Sequence, residues 1–201
     1  MSVFYQRKVF REGSVVMSVS PGITPESPTN SLDLPENLEP DNPLWRFALK
    51  VWQDPGAQKN CLALQQQGWS VTRILCAGWL ALDGKSYTGI EDATVTEWRD
   101  RVTGALRAAR KWLPKANADC SALREGIAGL ELEAERIELA LAWHWLTYKP
   151  PEDSNMQGCD KLIRNNLEAA APLPGSIRNA APQLNALAST LANFPKGEPR
   201  P

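Results

Sequence analysis

A single histidine, His144, stands among the 201 residues, and that scarcity narrows the chemistry available. A di-iron centre of the kind built into helical bundles needs two Glu-x-x-His pairs, and no glutamate lies three residues before His144. Nor does a Ser, Cys or Asp stand at a spacing that would complete a catalytic triad around it. Cysteine is sparse too. Cys61, Cys76, Cys120 and Cys159 show neither CxxC spacing nor clustering, which removes the usual thiolate metal site and leaves reduced thiols, two of them on helical stripes as small hydrophobes. Neither sign of charge is in excess, with 22 Lys plus Arg against 23 Asp plus Glu, so no global field draws the chain to nucleic acid or anionic lipid. The longest apolar run, Ile74 to Leu82, is about half of a bilayer span. The start lacks the charged-then-apolar pattern of a secretory signal. The cytoplasm is the expected compartment, without membrane association. The glycines around Gly84 and Gly89 follow no strand and match no phosphate-cradling spacing, so no cofactor is implied.

Residues 18–43 lack Lys and Arg altogether, yet hold six prolines and the carboxylates Glu26, Asp33, Glu36, Glu39 and Asp41. Such a stretch cannot bury enough apolar surface to offset the entropy of ordering, and residues 1–41 read as a disordered acidic leader. Arg11-Glu12-Gly13 can be encoded by a purine-rich, ribosome-binding-like stretch three codons before Met17. Native translation is therefore expected to begin at Met17, which would leave residues 1–16 outside the native chain.

From Asn42 the pattern turns helical, and residues 42–194 read as one all-α bundle of about five to seven helices. Asn42-Pro43 and Asp54-Pro55 are cap-plus-proline starts for a first helix to about Gln53 and a second ending at Gly68. Ser70 caps a third helix, apolar nearly all round and so expected at the centre, which Gly84 ends. After a loop over 84–93, Val95, Trp98, Val102, Ala105, Ala109 and Trp112 mark a long fourth helix ended by Pro114. The fifth, about Asp119 to Tyr148, has a seam at Leu123, Ile127, Leu130, Ala134, Ile137, Leu141 and Trp145, spaced four and three alternately. A second stripe on it, Leu132, Leu139, Trp143 and Leu146, suggests the bundle's axis. Shorter helices follow near Gly158 to Ala171 and Pro182 to Asn193, then a short disordered tail, 195–201.

Several ordered motifs carry a resemblance: Leu44-Trp45-Arg46-Phe47-Ala48, Pro55-Gly56, Cys61-Leu62-Ala63-Leu64-Gln65, Trp79-Leu80-Ala81, Trp98-Arg99, Leu106-Arg107 with Arg110-Lys111, and Ala134-Glu135-Arg136-Ile137-Glu138-Leu139. Together, over Asn42 to Trp145, they are similar to an uncharacterised family of small proteobacterial proteins, a domain of unknown function. The resemblance implies a helical fold and a bacterial cytoplasmic setting, and no activity. It also implies a proline before the Leu-Arg pair, where this chain has Ala105.

The sharpest polar pattern is a carboxylate column, Glu131, Glu135 and Glu138, at i, i+4, i+7 on one flank of the fifth helix. The fourth helix offers Arg99, Arg107 and Arg110. A short connection makes antiparallel neighbours, so a hairpin folded at 116–118 sets Arg99 opposite Glu131 to Glu138 and Arg107 opposite Glu125. Interhelical ion pairing is the expected role. An anionic-ligand pocket on Arg99, Arg107 and Arg110, with Glu131 or Glu135 as base, is the enzymatic alternative. Contact of the basic face with RNA or DNA phosphates, with Trp112 as a stacking ring, is the third. Trp45, Trp52, Trp79, Trp98 and Trp145 fall on buried stripes, whereas Trp69 and Trp143 fit less well and are the partner-surface candidates. With reactive groups scattered and the polar groove explained by pairing, the expectation is a non-enzymatic interaction or adaptor protein that binds a protein partner or self-associates.

Overall fold

The computed structural model describes residues 31–154 and 158–194. The leader before residue 31, the start at Met17 and the tail 195–201 lie outside the described residues. Each early helix begins where a side chain takes up orphan amides. Asn42 Oδ1 accepts from Trp45 N at 2.9 Å and opens α1, Pro43–Gln53. Asp54 accepts from Ala57 N at 2.7 Å and opens α2, Pro55–Gln66. Ser70 accepts from Arg73 N and opens α3, Val71–Leu82. Gly68 and Gly84, both at positive φ, stand just past the ends of α2 and α3.

Asp92 caps α4, Ala93–Trp98, which runs through a π-helical turn, Arg99–Thr103, directly into α5, Gly104–Trp112. A 3₁₀ turn, Ala118–Cys120, leads into α6, Ser121–Tyr148. Then come α7, Cys159–Ala169, and α8, Ser176–Ala192. Counting α4 to α5 as one rod, the described residues form seven helices and no strand. One isolated antiparallel bridge, Lys85 with Asp153, ties the loop after α3 to the segment after α6. The protein is all-α, a bundle with α3 at its centre: α1, α2, α6, α7 and α8 all pack on it. Leu44, Leu64, Ile74, Leu75, Leu80, Leu139, Ile163, Leu167, Leu184 and Leu187 fill the core, where side chains of this size each gain about 1.5–3 kcal/mol on burial.

The architecture departs from the helical pattern of the sequence in five places. The fourth helix is not one regular α-helix, because the π turn interrupts it. The last helix begins at Ser176 rather than Pro182, with the proline in its second turn. Residues 31–41 do not all stand clear of the body: Leu34 and Leu38 pack against the core and Asp41 meets Arg136 at 2.7 Å, since two leucines are enough to tether a short run. α6 is not the axis. Its C-terminal half packs on α1, α3 and α4, but the first three seam positions run past the body, leaving Leu123 56% and Leu130 58% exposed. Trp112, one of the apolar positions that mark the fourth helix, is 86% exposed, and α5 has no buried residue at all.

Candidate functional site: an arginine–glutamate ladder

The hairpin of α5 and α6 brings the cationic and anionic columns together. Arg107 donates from Nε to Glu131 at 2.9 Å and from Nη2 to Glu135 at 2.7 Å. Arg110 donates from Nε to Glu131 at 2.6 Å and from Nη2 to its other oxygen at 3.3 Å. Arg99 donates from Nε to Glu138 at 2.7 Å. All six residues singled out from the sequence thus join one ladder. Arg124 closes the hairpin, its guanidinium donating to the carbonyls of Arg110 and Leu113 at the end of α5, where a cation also suits the helix dipole.

The pairing register differs from expectation, for Arg107 meets Glu131 and Glu135 instead of Glu125. Helical side chains lean toward their own N-terminus. On α5 this carries an arginine away from the turn, and on α6 it carries a glutamate toward it, so each arginine finds a partner farther along α6. The π turn supplies the rest. In a regular α-helix Arg99 and Arg107 would point about 80° apart; one extra residue in a wide turn brings them within roughly 20°. The bond from Gly104 N–H to Arg99 O that defines the turn therefore aligns two arginines with one carboxylate column.

Two members were not foreseen. Glu91, in the loop after α3, takes two bonds from Arg99 and one from Arg73 Nη1, at 3.0 Å. Arg73 also donates to the carbonyls of Gly89 at 3.0 Å and Ala169 at 3.3 Å. The ladder thus runs from α7 to the tip of the hairpin, with Arg73, Arg99, Arg107 and Arg110 set against Glu91, Glu131, Glu135 and Glu138. The available signal was Arg73 itself, a lone charge on an otherwise apolar central helix, since a buried charge needs a counter-charge. Gly89 holds the loop in place at φ +77°, so near α7 that an added Cβ would stand 2.5 Å from Ala169 O.

Electrostatics follow from burial and pairing. Burial works against the charge of Arg99, but its bonds to Glu91 and Glu138 overcome this and raise its pKa. The bond to Glu131 chiefly raises that of Arg110. Burial would lift Glu131, yet the bonds from Arg110 and Arg107 hold it below the ordinary carboxylate value. Glu135, deeper and also beside Glu131, is lifted by burial beyond what Arg107 offsets. Near the ladder, burial pushes up both the Cys76 thiol and the Tyr87 phenol, the opposite of what activates a nucleophile.

The partner-surface tryptophans lie elsewhere. Trp69 is 2% exposed, a core residue, which corrects the expectation for it. Trp143 is half-buried, edge-to-face with Trp79 at 5.2 Å. His144 is exposed. Two hollows flank Trp145: one of about 220 Å³ with Pro35, His144 and Tyr148, and one of about 810 Å³ with Tyr87, Ile90, Leu146 and Pro150. No arginine of the ladder lines either. Among the described residues no group of three or more His, Cys, Asp or Glu could hold a metal ion, and no helix is long and apolar enough to cross a membrane.

Residues 43–142 match the family model of a protein of unknown function, DUF2390. The match takes in every rung of the ladder and leaves α7 and α8 outside. No curated protein and no solved structure matches the chain.

Proposed function

We propose that this chain is a non-enzymatic adaptor, working in the bacterial cytoplasm, that engages a protein partner through the arm formed by α5 and the N-terminal half of α6. One observation carries this reading. The arm is held to itself by ion pairs, no residue of α5 is fully buried, and Trp112, Leu123 and Leu130 stand in solvent at its surface. Large exposed apolar side chains gathered on one projecting element are the usual mark of an interaction site.

The ladder bears against the anionic-ligand alternative, because Arg99, Arg107 and Arg110 already donate to carboxylates of their own chain. A ligand would have to displace Glu131 or Glu138 from paired, buried positions, and leaving such a charge unpaired costs about 3–5 kcal/mol.

The test has two arms. Protein carrying Leu123→Glu and Leu130→Glu should lose the partner that wild type retains from native cells, with its helicity unchanged. A thermal-shift screen with phosphorylated and carboxylated metabolites should give no stabilisation, since a ligand specific for the folded state must raise the melting point. Unchanged capture by the variant, or a strong metabolite shift abolished by Arg107→Ala, would overturn the reading.

A further inference from the structure

Resting on that reading, we propose that one partner of the arm is a second copy of the same chain, paired antiparallel along the uncovered part of the α6 seam. Cys120, Leu123, Ile127 and Leu130 follow the three-four-three spacing of a helix-pairing stripe. The next position, Ala134, is buried within its own chain. The open seam is therefore about ten residues, roughly 15 Å of helix. Any helix laid on it must be short and must stop where the body begins.

A second arm meets both conditions. In an antiparallel pair Leu123 of one copy lies on Ile127 of the other, and Cys120 on Leu130, so each apolar layer sets an exposed leucine against a half-buried residue of the other copy, and none needs a fully buried one. Each tip then ends against the other copy's body. Charge favours the same direction. Lys111 and Lys115 are exposed near the tip, and Glu133 is exposed where the seam meets the body. Antiparallel arms set Lys115 of each copy near Glu133 of the other, whereas parallel arms would set like charges together. Gly126, three residues after Leu123 and four before Leu130, leaves room beside the seam: a Cβ added there would meet nothing within 4 Å. A partner helix can therefore approach closely. So short a seam falls at the small end of specific interfaces, and the pair should form and dissociate with concentration.

The experiment is light scattering from micromolar to millimolar protein, followed by disulfide trapping with diamide, all chains carrying Cys159→Ser. The expected result is a mass that rises from one to two copies, with Leu123→Glu monomeric throughout and equally helical. Leu130→Cys should join the native Cys120 of the other copy and give a covalent dimer, which Cys120→Ser combined with Leu130→Cys should not. Cross-linking by that double variant would mean parallel arms and would overturn the proposal. So would a wild-type chain that stays monomeric. In that case partner capture by wild type, lost on Leu123→Glu and Leu130→Glu substitution, would still separate this failure from that of the adaptor reading.

Discussion

Arg99 holds Glu91 by two parallel hydrogen bonds, Nη1 to Oε2 at 2.8 Å and Nη2 to Oε1 at 2.6 Å, and so fastens the loop after α3 to the π turn. This fork joins the ladder of the α5–α6 hairpin to the central helix, because Glu91 also accepts from Arg73. It is the only rung made by a residue outside the hairpin among those that Arg99 contacts through hydrogen bonds in the described residues.

Glu91→Gln keeps the shape of that carboxylate and removes the charge that answers two guanidinium groups. The variant should lose about 3–5 kcal/mol of unfolding free energy, as expected for breaking a buried ion pair from one side. Glu133→Gln, which removes only an exposed contact to Arg136, should change stability by less than about 1 kcal/mol. Urea denaturation of the two variants beside wild type checks both.

Stability should respond to acid in two opposed steps. Glu135 has a raised folded pKa, so its protonation favours the folded chain: stability should rise as pH falls from neutral toward the ordinary carboxylate value. Glu131 has a lowered one, so its contribution is present above the unfolded pKa and is lost as pH falls through its folded value. A maximum in mild acid follows. Glu135→Gln should remove the rising limb and Glu131→Gln the falling limb attributed to each, measured as urea midpoints against pH.

Gly89→Ala should be destabilising by more than the roughly 1–3 kcal/mol of a residue forced into sparsely populated backbone space. Besides the strain at φ +77°, its Cβ would meet Ala169 O at 2.5 Å and Arg73 Nη2 at 3.2 Å, dislodging the loop that carries Glu91. Thermal unfolding of the variant gives the measure; a melting point equal to wild type would contradict the close packing of this loop on α7.

What could be read in the sequence was what is local. Asn42, Asp54 and Ser70 cap the helices expected of them, because a cap and the amide it serves lie within three residues. The six ladder residues on α4 to α6 were legible since a short connection makes their helices neighbours. Glu91 was not, for a carboxylate in a loop carries no periodicity to show what it faces. The π turn left no trace in the apolar pattern, and with it went the alignment of Arg99 with Arg107. The seam misled for a different reason: Leu123 and Leu130 repeat as regularly as Ala134 and Leu141, and spacing shows which residues share a face without showing what covers it.

Amide hydrogen exchange, followed on dilute protein and on the complex recovered from native cells, tests the adaptor reading most directly. Ser121 to Leu130 should exchange quickly in dilute protein and slow markedly in the complex, while α3 stays equally protected in both. If protection in the complex appeared around Trp145 and Pro150 and left the arm unchanged, the arm would not be the partner surface.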